Sequence, residues 1–344
     1  MLNSEEIAKL AGVSRSTVSK VLNGYPNISK KTKDKILDIV KKNKYIPNPN
    51  AQALAGKINK VIGIFIYEKD YEKDLLVKQG QNFSYFTDFI NSCMKEAFLC
   101  QYQVLVDVIK DDLEEARIER LFKTGSITGG IVIGLSQNNK FIENLIEKEY
   151  KLALIDYKNQ LANHKNTLLI NIKDFEASYR ITEKLIHAGK KNILYIAGDE
   201  NKRTGFERKK GFIKALENNN LKLNNNLIIS SNFQREDSYQ KIKKFLKSGI
   251  KFDGVISAND TMAYSYLAAI KDLKLDIKLK NITVWGYDNL KYTFIQGIKT
   301  AAPNFNKAAI EAIKFLTNLG NKKEENCINI DVKLIETLED YINS

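Results

Sequence analysis

One face of a short helix near the N-terminus carries side chains suited to binding a nucleic acid. The stretch "GVSRSTVSKVLNG" runs from Gly12 to Gly24, and at about 100° per residue its apolar side chains form one stripe. The opposite face holds cations, hydroxyls and an amide but no carboxylate: Arg15, Ser16, Ser19, Lys20 and Asn23. Such donors bind phosphate oxygens and base edges. Taken without its neighbours, the same face could be an ordinary solvated basic surface.

Two further helices are predicted around this one. "NSEEIAKLAG" begins with a capping box of Asn3 and Glu6, and Ser29 caps a third helix in "SKKTKDKILDIVKKNKY". Ser14 is predicted as the N-cap of the middle helix and Gly24 as its stop. We expect the three helices to share a core of Ile7, Leu10, Val13, Val18, Val21, Leu22, Ile28, Ile36 and Val40. Helix, glycine corner and polar second helix together indicate a helix-turn-helix.

The positive charge of the chain is concentrated at the same end. Residues 1–60 contain 12 Lys and Arg against 4 Asp and Glu, which gives +8 of the net +13 carried by 344 residues. This distribution is typical of a domain that neutralises phosphates. Double-stranded DNA is therefore the expected partner.

Composition excludes several classes of protein. No run of 18 apolar residues occurs and no leader precedes the first capped helix, so we expect a cytoplasmic protein with no membrane partner. Cys93, Cys100 and Cys327 lack metal-ligand spacing, and the only histidines, His164 and His187, have no nucleophile pattern beside them. We expect no cofactor and no metal.

Enzyme motifs are also missing from the sequence. There is no GxxxxGK[ST] phosphate loop, no GxSxG, and no GxGxxG that opens a helix; the glycine-rich "GSITGG" precedes a strand and is interpreted as a turn. A sugar-metabolising enzyme fused to a DNA-binding module is therefore only a distant alternative, and the chain is expected not to be an enzyme.

A short joint follows the third helix. In "YIPNPNAQALAGK" two prolines end that helix, and seven residues of high helix propensity precede Gly56. A helix this short is unstable alone, so it is either a plain linker or a hinge helix that orders on DNA. In the second case Leu54 could insert between base pairs from the minor groove. The expected division is a headpiece over 1–47, a hinge over 48–57 and an effector domain over 58–344.

The rest of the chain alternates apolar strands with amphipathic helices in two series. The predicted strands lie at 60–67, 102–109, 129–135, 151–157, 192–198, "LIISSNF", 252–258 and 281–287. Continuous apolar strands that alternate with helices predict doubly wound parallel sheets. The expected fold class is thus an all-α helix-turn-helix headpiece plus a two-lobed α/β effector domain, with a ligand cleft at the carboxyl ends of the strands.

Polar and aromatic side chains stand at those strand ends. Asp156, Phe233, Asn259 and Asp288 each follow an apolar strand, and Arg208 lies near the start of a helix. Arginine and carboxylates can each hold two hydroxyls, and an aromatic plane can stack on a sugar ring. Trp285 is a further candidate for ligand binding, although both Trp285 and Phe233 could instead be core residues. Asp260, next to Asn259, could be a helix cap.

The sequence resembles the lactose-repressor (LacI/GalR) family over nearly its full length. The resemblance is carried by "IAKLAGVSRSTVSKVLNG", "YIPNPNAQALAGK", "ERKKGFIKAL", "SANDTMAY" and "WGYDN", which stand in the family's order. It implies a homodimeric transcriptional regulator, most often a repressor, that reads two half-sites of a pseudo-palindromic operator. It also implies a periplasmic-binding-protein-like effector domain.

Individual roles follow from the same resemblance. It implies base reading by Arg15, Ser16 and Lys20, a minor-groove lever at Leu54, and phosphate contacts from Ser14, Thr17, Ser19, Asn23, Thr32 and Asn48. Arg208, Asn259 and Asp288 match the ligand-clamping positions and Phe233 the stacking aromatic, while Asp156, Tyr85 and Phe86 are looser matches. A sugar is the preferred effector, and a purine or nucleoside is the alternative because Phe233 would stack on either ring.

Overall fold

The structure is a computed structural model that describes residues 3–22, 25–43, 45, 59–68, 83–157, 164–275, 279, 282–290, 293–319 and 326–342. The chain divides into two compact units, Met1–Asn59 and Lys60–Ser344. Among the described residues no helix is both long and apolar enough to cross a bilayer. Predictions made for Asn23, Gly24, Asn48 and Leu54 lie outside the described residues.

The first unit is the predicted three-helix headpiece, and its helices are α1 Ser4–Ala11, α2 Arg15–Leu22 and α3 Lys30–Lys42. The Asn3 side chain accepts hydrogen bonds from the Glu5 and Glu6 amides, and Glu6 reciprocates at the Asn3 amide, so the predicted capping box is confirmed. Gly12 turns the chain at φ 66°, a left-handed conformation that glycine adopts without strain. Ser14 Oγ then accepts from the Thr17 amide at 3.2 Å, as expected of an N-cap.

The headpiece core differs from the prediction at one position. Ile7, Ala8 and Ala11 are the residues of α1 that are buried, whereas Leu10 is 54% exposed. Leu10 lies about 100° around the helix from the middle of that buried stripe, so it faces outward. The predicted core residues Val18, Val21 and Ile36 are buried, and Val13, Leu22, Ile28 and Val40 pack around them.

The second unit contains two six-stranded sheets, each of which is the centre of one lobe. The first lobe has the strand order β11-β5-β4-β3-β1-β2, and all of its strands are parallel. Its elements are β1 Val61–Tyr67, α4 Phe83–Leu99, β2 Gln103–Ile109, α5 Asp112–Lys123, β3 Gly129–Ile133, α6 Lys140–Glu147, β4 Leu152–Ile155, β5 Thr167–Ile172, α11 Phe305–Thr317 and β11 Cys327–Ile330.

The second lobe has the strand order β12-β10-β9-β8-β6-β7, with β12 antiparallel to β10 and the other pairs parallel. Its elements are α7 Asp174–His187, β6 Ile193–Ala197, α8 Arg203–Asn218, β7 Ile228–Ser230, α9 Arg235–Lys247, β8 Gly254–Ser257, α10 Asp260–Asp272, β9 Thr283–Tyr287, β10 Ile298–Pro303, β12 Val332–Ile335 and α12 Leu338–Ile342. The predicted fold class is confirmed.

Three crossings between the lobes were not predicted. The chain leaves the first lobe after β5, returns from β10 to α11, and crosses again from β11 to β12. Lys173 Nζ contacts Asp331 Oδ1 at 2.6 Å and so ties the first and third crossings together. Strands β5, β10, β11 and β12 were not predicted from the sequence. Two of them, "IKTAAP" and "CINI", are short and interrupted by small or polar residues. The strands that were predicted are all present.

Candidate functional site

The predicted DNA-reading face is an exposed surface of the headpiece. Helix α2 buries Val18 and Val21 and turns Arg15, Ser16, Ser19 and Lys20 outward. Arg15 approaches Glu5 only at 3.7 Å, and these two side chains are 62% and 66% exposed. An ion pair so open to water is weak, so it does not hold Arg15 in place.

Hydroxyl groups cluster at the N-terminal end of α2. Ser14 Oγ lies 2.8 Å from both Ser16 Oγ and Thr17 Oγ1, and Thr17 is half-buried. Thr32 is placed similarly at the start of α3, where its hydroxyl lies 2.8 Å from Ser29 Oγ. The five hydroxyls are therefore held at helix N-termini, where a phosphate would find backbone amides and a favourable dipole.

A cavity in the second unit gathers residues from both lobes. It encloses about 800 Å³, part of which is open to solvent. The first lobe contributes residues that follow β1, β3 and β4, and the second lobe contributes strand ends and the start of α8. The lining residues are Glu68, Phe86, Ile133, Gly134, Leu135, Ile155, Asp156, Lys202, Arg203, Thr204, Arg208, Phe233, Asn259, Thr261 and Asp288.

Asp156 connects the two lobes across this cavity. It follows β4 with φ 53°, and its Oδ1 accepts from the Ile172 amide at 2.8 Å. Arg203 Nη1 lies 3.2 Å from the same oxygen, and Thr204 donates to Oδ2 at 3.3 Å. Burial raises the pKa of Asp156 to about 7, and the neighbouring Asp174 adds to that shift while Arg203 opposes it.

Arg208 is the most enclosed cation of the cavity, at 1% exposure. Its Nε donates to Asp174 Oδ1 at 2.7 Å, its Nη1 donates to the Ala258 carbonyl, and its guanidinium carbon lies 4.1 Å from the centre of the Tyr287 ring. Asp288 Oδ1 lies 3.6 Å from Nη1, which is long for a hydrogen bond. Burial raises the pKa of Asp288 to about 7 against the opposing pull of Arg208.

Phe233 and Asn259 line the cavity from the second lobe. Phe233 has φ 68°, and its ring packs so closely on Gly198 that a Cβ there would lie 2.1 Å from it. Asn259 caps α10 through the Met262 amide and donates from its side chain to the Phe233 carbonyl at 3.2 Å. Its partner in the motif, Asp260, is fully buried and accepts from Leu290, Thr293 and Thr300, so it is a structural anchor.

Three aromatic residues, Trp285, Phe86 and Tyr85, were also predicted to bind the effector. Trp285 does not line the cavity. It is 1% exposed and packs inside the core, because both faces of β9 are covered, so the prediction that it binds the effector is wrong. Phe86 does line the cavity, from the first turns of α4. The side chain of Tyr85 lies outside the described residues.

Several charged and polar residues of the cavity were not predicted from the sequence. Glu68 directly follows the apolar run of β1, and the rule that identified Asp156 would also have found it. Lys202, Arg203 and Thr204 stand at the start of α8, where a helix N-terminus faces the strand ends. The sequence around these residues does not indicate that they pair with carboxylates of the first lobe.

Comparison with known proteins decides the family. The profile "Bacterial regulatory proteins, lacI family" matches residues 5–48, and "Periplasmic binding proteins and sugar binding domain of LacI family" matches residues 74–335. The chain belongs to the lacI family of bacterial regulatory proteins. It is a DNA-binding transcriptional regulator with a ligand-binding domain, as the sequence analysis predicted.

Individual relatives are distant but match nearly end to end. The HTH-type transcriptional repressor PurR of Pasteurella multocida (strain Pm70) is 27% identical over 334 residues, covering 94% of each chain. The probable HTH-type transcriptional repressor ExuR of Bacillus subtilis (strain 168) is 29% identical over 300 residues, covering 85% of this chain and 83% of the relative.

Solved structures share the fold. The lac repressor dimer bound to operator and the anti-inducer ONPF has a TM-score of 0.80 at 21% identity, covering 97% of each chain. A complex of the transcriptional regulator CelR with cellobiose has a TM-score of 0.68 at 17% identity, covering 97% of this chain and 98% of the other.

Proposed function

We propose that this lacI-family protein is a cytoplasmic, non-enzymatic repressor that binds a pseudo-palindromic operator as a homodimer and is controlled by a small ligand in the cavity. The observation that carries the proposal is the cavity itself, which joins both lobes through Asp156 and Arg203 in a chain that also presents the acid-free face of α2. A ligand that changes the contacts between the lobes can change operator affinity, because it binds one arrangement of the lobes better than another.

The headpiece and the hinge have different proposed roles in DNA binding. The headpiece, 1–47, reads bases with Arg15, Ser16 and Lys20 and holds phosphates with Ser14, Thr17, Ser19, Asn23, Thr32 and Asn48. The hinge, 48–57, inserts Leu54 into the minor groove, and the effector domain, 58–344, carries the ligand site and the dimer contacts.

Dimerisation is supported by the surface of the first lobe. Strand β2 is at the edge of its sheet, where its outer side has no strand partner among the described residues. Large apolar side chains on and beside it are exposed: Met94, Phe98, Leu99, Val106 and Leu113. Exposed apolar side chains in such a group mark an association surface.

A sugar is the proposed effector. Arg208, Asn259 and Asp288 offer donors and acceptors for hydroxyl groups, and Phe233 offers a plane for a ring. The CelR structure holds cellobiose within the same fold, which supports a saccharide. A purine or nucleoside is the second candidate, and it is favoured only by the stacking plane of Phe233.

The test uses the full-length protein and a duplex selected from a random library. Fluorescence anisotropy with and without sugars should show a preferred duplex whose affinity depends on one of the ligands. Leu54→Ala should weaken binding to that duplex while leaving nonspecific binding nearly intact. The control is Leu10→Ala, which removes a leucine that is exposed in the headpiece. The proposal fails if no duplex is preferred over random competitor with any ligand present or absent.

A further inference from the structure

One arginine of the second lobe binds two groups of the first lobe. Arg203 is the first residue of α8, and its side chain is only 15% exposed. Its Nη1 donates to Asp156 Oδ1 at 3.2 Å and to the Ile172 carbonyl at 3.1 Å. Both acceptors lie at the carboxyl ends of strands in the first sheet, because Asp156 follows β4 and Ile172 is the last residue of β5. Arg203 is therefore a tether between the lobes.

Weaker contacts join the same parts of the two lobes. Thr204 donates to Asp156 Oδ2 at 3.3 Å, and the Gln137 amide, which follows β3 of the first lobe, donates to the Asn201 carbonyl at 2.9 Å. These donors are neutral, whereas the guanidinium of Arg203 is charged, and charge-assisted hydrogen bonds are about twice as strong. We therefore expect Arg203 to be the main contact of this group and the Gln137 amide to report on it.

The oxygen that Arg203 binds has no acceptor site left for a further donor. A carboxylate oxygen accepts about two hydrogen bonds. Asp156 Oδ1 accepts one from Arg203 and one from the Ile172 amide at 2.8 Å. The amide is part of the backbone of β5 and stays in place while the strand is folded, whereas a side chain can rotate away. A soluble molecule that donates to this oxygen must therefore replace Arg203.

Asp156 also lines the cavity, as does Arg203 itself. A side chain that is attached to the cavity wall is present at a high effective concentration, on the order of millimolar. A ligand that needs Asp156 Oδ1 binds only the fraction of molecules in which Arg203 has turned away, and its apparent affinity falls by that fraction. The same contact thus holds the lobes together and opposes the ligand.

We propose that Arg203 is a built-in competitor of the effector: it holds the two lobes together through Asp156, and an effector that binds Asp156 displaces it. The tether is independent of the proposed function, whereas the competition rests on it. Arg208, on the same helix, has the opposite role. It is held within the second lobe by Asp174 and the Ala258 carbonyl and stays in place.

Hydrogen–deuterium exchange of the full-length protein tests the tether. It is measured by mass spectrometry at pH 8, where Asp156, whose pKa burial raises to about 7, is ionised. In Arg203→Ala the Gln137 amide should exchange at least about five-fold faster than in the wild type, because the lobes separate there more often. Unchanged exchange at Gln137 overturns the tether. Equal acceleration at Ile131, in the middle of β3, also overturns it, because the first lobe would then be loosened as a whole.

The matched control is Lys209→Ala on the same helix. Lys209 Nζ lies 2.6 Å from Glu200 Oε1, and both residues belong to the second lobe, so the variant breaks an ion pair without affecting the tether. Acceleration at Gln137 as large as in Arg203→Ala would contradict the tether. If Arg203→Ala fails to fold because Asp156 is left as an unpaired buried charge, the double variant Arg203→Ala/Asp156→Asn removes that charge and should show the same faster exchange at Gln137.

Ethylguanidinium, a soluble copy of the end of the arginine side chain, tests the competition. Calorimetry at millimolar concentration should show it binding to Arg203→Ala at least about ten-fold more tightly than to the wild type, where Arg203 occupies the site. It should also slow the exchange at Gln137 in the variant. Equal affinity for both proteins, or no binding to Arg203→Ala, overturns the competition. Neither measurement contains DNA, so these failures are distinct from failure of the proposed function, which shows as a complete absence of ligand-dependent operator binding.

Discussion

On α2, Arg15 extends into solvent with one distant carboxylate beside it, whereas Arg208 in the cavity is 1% exposed and contacts two carboxylates, a carbonyl and an aromatic ring. Both are expected to bind a partner, but the protein prepares them differently. The headpiece leaves its cations exposed for a large anionic surface that supplies many contacts. The cavity fixes its cation in advance, so that a small ligand with few contacts loses little affinity to ordering side chains.

The largest test of this contrast is removal of the buried arginine. Arg208→Ala leaves Asp174 buried without its cation, which should lower the free energy of unfolding of the second unit by about 3–5 kcal/mol. Urea denaturation followed by circular dichroism measures the change. Lys210→Ala, an exposed position on the same helix, is the control and should shift the unfolding free energy by under about 0.5 kcal/mol. If both variants lowered the unfolding free energy by similar amounts, Arg208 would not be held by its ion pair with Asp174.

The buried acids predict a second difference, in pH dependence. Folded Asp288 keeps its proton up to about pH 7, whereas its ordinary pKa is 3.8, so the folded state binds more protons between these values. The free energy of unfolding should therefore fall as the pH rises through this window. The hydrogen bond from Lys173 lowers the pKa of Asp331, so Asp331 changes its protonation state below this pH window.

Urea midpoints of the wild type and Asp288→Asn between pH 4.5 and 8 measure this slope. The variant should show a smaller decline, since Asp156, whose pKa is also raised to about 7, remains. If the pH dependence of the urea midpoint is the same in the wild type and in Asp288→Asn, the pKa of Asp288 is not raised. The cavity would then not differ from the headpiece surface in this respect.

The third test is made on the headpiece. Arg15→Ala should reduce discrimination at one base pair of each half-site by about 1–3 kcal/mol. Its loss should leave the unfolding free energy nearly unchanged, because its contact to Glu5, within the part of the chain that the structure describes, is long and open to water. Binding to a set of single-base operator variants provides the measurement, with Lys9→Ala on α1 as the control. Unaltered discrimination would remove Arg15 from base reading.

The smallest expected effect belongs to the partner of Arg15. Glu5→Gln breaks a contact of 3.7 Å between two mostly exposed side chains and should change the unfolding free energy by under about 0.5 kcal/mol. Thermal unfolding of the wild type and Glu5→Gln at low and high salt would detect a change larger than this. A clear destabilisation that disappears in salt would show that the headpiece also prearranges its charges.

The same contrast governs how much the sequence could predict. In the headpiece, the signals are local: Asn3 and Glu6 cap α1, Ser29 caps α3, and apolar spacing identifies the faces. Only Leu10 was assigned to the wrong side. In the second unit, alternation of strands and helices was enough to place Asp156 and Asn259 at strand ends beside one cavity.

What could not be predicted depends on residues far apart in the chain. Arg203 and Asp156 are separated by 47 positions, and neither neighbourhood indicates the other. Trp285 looks like a ligand-stacking residue in the sequence, because a strand covered on both faces gives no sign of which side faces a cavity. The edge strands β11 and β12, and β10 beside β12, were not predicted because short, interrupted apolar runs resemble loops.

The triple crossing of the chain has a consequence for synthesis. Strand β11, Cys327–Ile330, completes the edge of the first sheet, and β12, Val332–Ile335, completes the second. A nascent chain must therefore leave the ribosome as far as residue 335 before both sheets can be complete. A premature stop codon anywhere before residue 330 would yield two unfinished sheets with open edges, which are targets for chaperones and proteases.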